Sequence, residues 1–125
     1  MRQIRILNRT HPLKSPLVVG FCDRFLCKLR GLALRRALAV GRGLVLASGE
    51  ESRVNSAIHM LGMAFDLSIA WLDSSLTVVD VRPARRWRSF LIPRKASRYV
   101  IEFHALRLEE FHIGDQISFE ENPVA

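Results

Sequence analysis

The chain has 125 residues, 49% of them hydrophobic, and a formal net charge of +7 from 19 Lys+Arg against 12 Asp+Glu. That length sets one domain of ordinary size, and the apolar share excludes a disordered chain. No run approaches the roughly 20 apolar residues that cross a bilayer, and the N-terminus lacks a signal-peptide core, so the chain reads as cytoplasmic with no membrane span.

The basic excess is nearly all Arg. It permits contact with anions without demanding it. Gln3–Leu7 alternates weakly and reads as a short strand. Asn8–Pro16, with Asn, Thr, two Pro and Ser, is turn chemistry. Leu17–Phe21 is a compact apolar run, expected as a buried strand. Asp23 has N-cap chemistry, and Phe25, Leu29, Leu32 and Ala33 fall on one helical face, interrupted by Gly31. Cys22 and Cys27 are the only cysteines. On one helix they would point to different sides, so they are read as buried free thiols in a reducing compartment. No CxxC or Cys/His spacing suggests zinc, and neither a metal nor a cofactor is expected.

Gly43–Ala47 reads as another strand and Ser48–Asn55 as a polar loop. Ser56–Val81 is the longest apolar stretch. In it Leu67, Ile69 and Trp71 alternate with Ser68, Ala70 and Leu72, and Thr77, Val79 and Val81 alternate after Asp73-Ser74-Ser75. Two period-2 runs around a polar turn predict a hairpin. Arg82–Arg98, RPARRWRSFLIPRKASR, holds seven basic residues and no acid. Pro83 and Pro93 argue for an extended loop or an edge there. Arg98–His104 is a strand with Tyr99, Ile101 and Phe103 on one face and Val100, Glu102 and His104 on the other. Leu106–Phe111 allows one helical turn, and Gly114-Asp115 leads into a last strand carrying Ile117 and Phe119. The expected class is mainly β: an antiparallel jelly-roll-like sandwich or barrel with one short N-terminal helix. Residues 1–125 form a single domain, with 1–16 as an N-terminal extension and 17–120 as its core.

Five pieces in order carry a resemblance: GLALR (Gly31–Arg35), IHMLGMAFDLSIAWLD (Ile58–Asp73), Arg86-Trp87-Arg88, YVIE (Tyr99–Glu102) and IGD (Ile113–Asp115). Their order resembles the domain-of-unknown-function 192 family, in the subgroup with an Ile-His-x-x-x-Met central motif, over roughly Leu17 to Glu120. The resemblance implies a mostly β, jelly-roll-like fold with a short helix and no established activity. The family's Met after Gly-Leu falls on Ala33, its Arg on Ala64, its Pro on Asp66 and its Asp on Ser68. Strand alternation puts positions 66 and 68 on one face, so Asp66 is a stand-in for a carboxylate at Ser68, or that site is lost.

Candidate ligand-binding residues are His59, Met63, Asp66, Ser68 and Glu102. A His beside a carboxylate suits ligand binding or acid–base work; the bland alternative is a His satisfied within the sheet. Met60 and Met63 read first as core fillers. Arg85, Arg86, Trp87 and Arg88 are the anion-binding candidates, because Arg forks fit phosphate or carboxylate and Trp stacks on rings. The bland reading there is a solvated basic loop with Trp87 covering the core. The function expected is a non-enzymatic binding or accessory module contacting an anionic small molecule or a protein. Nucleic-acid binding through Arg82–Arg98 is the alternative, and a hydrolase using His59 with a carboxylate is the weaker one.

Overall fold

The computed structural model describes residues 1–24, 27–28, 31–33 and 35–122. Nine strands follow in chain order: β1 (Gln3–Asn8), β2 (Val18–Cys22), β3 (Arg42–Ser52), β4 (Ile58–His59), β5 (Leu67–Leu72), β6 (Val78–Ala84), β7 (Phe90–Leu91), β8 (Ser97–His104) and β9 (Ile117–Glu121). A 3-10 helix at Ala105–Glu110 precedes β9. Seven strands make one sheet in the order β6-β5-β8-β3-β2-β1-β9, and β4 pairs with β7 as a separate ribbon.

The sheet curls because its two edges meet at one end. Thr77, just before β6, bridges Gln116, just before β9. Backbone bonds from Val78 N to Asp115 O (2.9 Å) and from Ile117 N to Leu76 O (2.9 Å) tie the same corner. Edge groups that would otherwise lack partners are satisfied there, which bends the sheet into a half-barrel. The mainly β class holds. Every ladder of the sheet is antiparallel except β2–β3, which is parallel in register Val18↔Arg42 to Cys22↔Leu46. A parallel neighbour needs a crossover connection, and residues 23–41 supply it.

Alternation along the strands sorts the apolar side chains into two cores. Ile4, Ile6, Val19, Val45, Ala70, Leu72, Ile101 and Phe103 pack on the concave side. Leu44, Ile69, Trp71 and Val100 pack on the other with Ile58, Met60 and Met63, which roof that face. All six residues of β5 are buried for this reason. Its period-2 pattern therefore separates two apolar faces and not an apolar from a polar one. Trp71 donates its Nε1–H to Ser56 O at 2.7 Å, so the roof is bonded as well as packed. At Gly43 a Cβ would collide with the Glu102 carbonyl, so only glycine lets β3 and β8 approach there.

Two expectations change, and a third, the extended loop or edge at Arg82–Arg98, resolves in part to the edge. Ser48–Asn55 is not a loop throughout: β3 runs on to Ser52, with a register shift between Ala47 and Ser52 that lets an exposed polar stretch stay paired. Arg82–Arg98 is part strand: β6 continues through Pro83 to Ala84 as the sheet's edge, where a missing N–H costs no ladder bond. Cys22 and Cys27 are not free thiols. Cys22 ends β2, so the two do not share a helix; their Cα atoms lie 5.8 Å apart and a disulfide joins them. The thiol argument for a reducing compartment falls with this.

The helix expected from Asp23 lies in part outside the described residues, Phe25 and Leu29 of its apolar face among them. Lys28 N donates to Arg24 O (3.0 Å) and Gly31 N to Cys27 O (2.8 Å). Gly31 itself has φ 52°, a conformation that ends a helical turn more readily than it interrupts one. Among the described residues no helix is long and apolar enough to cross a membrane.

Candidate functional site

The predicted residues divide into three places. The first is a shallow cleft of about 70 Å³ on the roofed face, lined by Lys28, Leu46, His59, Met60, Met63 and Glu102 among others. β8 lies between β3 and β5, with Glu102 opposite Leu44 and Ile69, so its carboxyl sits at the sheet's centre facing the roof. Glu102 is 6% exposed. Burial pushes its carboxyl up to about 7. His59 is exposed at the rim, whereas Met60 and Met63 are core residues beneath it. Ligand pockets are typically several times larger than this cleft.

The second place is the turn Arg85–Ser89 between β6 and β7. Arg85 N donates to Ser89 Oγ (2.8 Å) and Arg86 N donates to Asp66 Oδ1 (2.9 Å). Trp87 N donates to Met60 O, and Met60 N to Ser89 O, both at 3.0 Å. The turn is thus fastened to the 58–66 segment, beside His59, which pairs with Phe90 in the β4–β7 ribbon. Trp87 does not cover the core: it is 61% exposed, and so are Leu61 (62%), next to the Met60 carbonyl that accepts the Trp87 N–H, and Phe90 (67%), three residues further on. Its φ is 63°, left-handed for a bulky residue. Leu76 has a similar φ, but its side chain packs against the core. Trp87 gains no comparable burial in return for the strain.

Ser68 is the third place, and it is apart from the others. It is fully buried, and its hydroxyl donates to His104 O (3.1 Å) and Ala105 O (3.3 Å). Asp66 lies before β5, is exposed, and caps the Arg86 N–H. The strand alternation expected to align residues 66 and 68 does not extend to Asp66. Asp66→Ala should cost about 1 kcal/mol in urea denaturation, the size of one lost hydrogen bond, and should loosen the Trp87 turn.

Not all of the basic segment is available for a partner. Arg82 pairs with buried Asp80 (3.0 Å) and lies 4.8 Å from the Trp71 ring centroid. Arg94 reaches the same Asp80 at 3.5 Å, and Arg98 donates to Ser48 O. Arg85, Arg86 and Arg88 are exposed around Trp87.

Arg107, 2% exposed, carries no signal in the sequence. Its guanidinium makes five hydrogen bonds, to Glu110, Ser15 O, Pro16 O and Val40 O. Nothing in the run ALRLEE separates it from a surface Arg.

The architecture is that of a single curled sheet with a roofed outer face. Known proteins share it and much of its sequence. A family model, DUF192 (Uncharacterized ACR, COG1430), matches residues 7–119. A UPF0127 protein of Thermococcus kodakarensis is 41% identical over 116 residues, covering 91% of this chain and 72% of the relative. One from Pyrococcus abyssi is 32% identical over 116 residues, covering 91% and 96%. The chain belongs to the DUF192 family. A crystal structure from Sinorhizobium meliloti, named a "putative transcription regulator", superposes with a TM-score of 0.81 at 19% identity, covering 94% of this chain and 92% of that one. A protein of unknown function from Novosphingobium aromaticivorans gives 0.72 at 15% identity, covering 93% and 83%. At those identities the two structures show the fold alone.

Proposed function

We propose that this protein is a non-enzymatic binding module whose working face is Trp87 with Arg85, Arg86 and Arg88, edged by His59, Leu61 and Phe90. The observation that carries the reading is Trp87 itself, held at a left-handed φ with its ring in solvent. Trp and Arg are the side chains that most often dominate protein interfaces, and an exposed apolar cluster ringed by charge is the usual form of such a face. The partner is an acidic protein segment with apolar side chains: carboxylates would meet the Arg forks and apolar groups would cover Trp87. The central motif Ile58-His59…Met63 supplies the scaffold, because its Met60 carbonyl holds the Trp87 N–H.

Single-stranded nucleic acid is the second reading. It is favoured by the same Trp87 and Phe90 as stacking surfaces amid Arg, and by the chain's net charge. A hydrolase using His59 with a carboxylate has less support, since the cleft beside Glu102 is small and Asp66 is bonded to the Arg86 N–H.

Replacing Trp87 separates binding from folding. Trp87→Gly should leave urea stability unchanged or raise it by about 1 kcal/mol, since glycine accepts this φ without strain. A loss of more than about 2 kcal/mol would show that the ring is structural and defeat the proposal.

A further inference from the structure

The chain has four histidines. Two of them, far from the Trp87 turn in sequence, converge on one buried carboxylate. Asn8 ends β1, and its Oδ1 accepts from the backbone N–H groups of Thr10 (3.1 Å) and His11 (2.9 Å), which fixes where His11 leaves the strand. The 3-10 helix gives way at Phe111 to a turn over His112–Asp115, closed by Asp115 N donating to His112 O at 3.0 Å. Asn8 pairs with Ile117 across β1–β9, so the two loops meet at one corner of the sheet. There His11 Nδ1 lies 2.6 Å from Asp115 Oδ1, and His112 Nδ1 lies 3.5 Å from Oδ2. The two imidazole centroids are 4.6 Å apart.

Asp115 is 1% exposed, and its position is fixed independently of the histidines' ring atoms. Asn8 Nδ2 donates to Oδ2 at 2.8 Å, and so does the His112 backbone N–H at 2.9 Å. Both histidine side chains, in contrast, are more than half exposed, which leaves a path in from solvent. One donor atom from each of His11, His112 and Asp115 lies within 4.8 Å of the others, the only such group of three among the described residues.

We propose that His11, His112 and Asp115 form a binding site for a divalent transition-metal ion of the zinc class. Two imidazole nitrogens and one carboxylate oxygen are a donor set such ions prefer, and three protein ligands leave a position for water. Ligands about 2.0–2.1 Å from a tetrahedral ion stand about 3.3 Å from one another. The two His–Asp spacings, 2.6 and 3.5 Å, lie on either side of that value, and both imidazoles are exposed and would turn about the fixed carboxylate. The hydrogen-bonded Asn8 supplies the outer support such ligands need. The ion would clip the loop after β1 to the turn before β9, at the corner where the edges of the half-barrel meet.

Cobalt(II) is the probe, because its visible absorption bands report tetrahedral coordination directly. Wild type should develop these bands with a one-to-one end point, and zinc should displace the cobalt. His11→Ala and His112→Ala should each weaken binding at least tenfold, and the double variant should abolish it while keeping its circular dichroism spectrum. His59 and His104 remain in the double variant, so any residual site there would still be seen. No saturable band up to millimolar cobalt, or a double variant that binds like wild type, would overturn the assignment.

Discussion

Arg107→Ala should lower stability by about 3–5 kcal/mol, the cost of breaking a buried ion pair by removing one partner. Arg107 Nε lies 2.7 Å from Glu110 Oε2, and its terminal nitrogens take up the carbonyls of Ser15, Pro16 and Val40. Truncation leaves three carbonyls without this donor and the largely buried Glu110 carboxylate with only the Lys14 N–H. The Arg107 guanidinium holds the Glu110 carboxyl below its ordinary value. A depressed folded pKa means that this contribution is present above the unfolded value of about 4.5 and is lost as pH falls through the folded one. Urea denaturation should therefore show the gap between wild type and Arg107→Ala narrowing in acid. A deficit below about 1 kcal/mol at pH 7 would mean that the clamp is ornamental.

Glu102→Gln should act in the opposite direction. The Glu102 carboxyl is raised to about 7 by burial, so the folded state holds its proton more tightly than the unfolded state does. Stability from this group is fully present below about pH 4.5 and is lost as pH rises through about 7. A displacement of that size corresponds to roughly 3 kcal/mol, so Glu102→Gln should gain up to this amount over wild type at pH 8 and match it near pH 4.5. Parallel pH profiles for the two proteins would show that the carboxylate finds compensation on folding. The same titration makes Glu102 a proton-sensitive floor under His59, which lines the same cleft.

The sheet was legible where one rule governs. The β5–β6 hairpin announces itself through period-2 runs around Asp73, whose Oδ1 indeed accepts the Ser75 and Thr77 N–H groups. Alternation in β8 put Glu102 on the opposite face from Ile101 and Phe103, which the two cores bear out. The resemblance to the DUF192 family was legible too, because its motifs are local runs in a fixed order. Long-range partnerships left no local trace. The parallel β2–β3 ladder depends on a crossover, the Cys22–Cys27 disulfide on Cys22 lying in a strand, and the meeting of His11 with Asp115 on the β1–β9 pairing. Ser68 had no local signal for its surroundings: a Ser in a family's Asp position reads as a site residue, and only the fold shows it buried with its hydroxyl on His104 O.

The proposed Trp87 face would account for the distribution of basic residues along Arg82–Arg98. Arg82, Arg94 and Arg98 are committed to Asp80 and Ser48, which stiffens the segment. Arg85, Arg86 and Arg88 are then displayed on a turn braced by Asp66 and Met60. Such bracing limits the ordering cost of association, and that is the use of a rigid turn at an interface.

The most direct test of that face is the affinity of wild type and Trp87→Ala for a labelled acidic peptide alternating Glu with Leu and Phe, with a 20-mer single-stranded DNA as the second probe. Trp87→Ala removes no charge, so diffuse attraction to a basic protein is untouched by it. Wild type should bind the peptide saturably, and Trp87→Ala at least tenfold more weakly; a preference for DNA, with the steep salt dependence of counterion release, would instead select the second reading. Equal affinities of the two proteins for both probes would contradict the Trp87 face altogether.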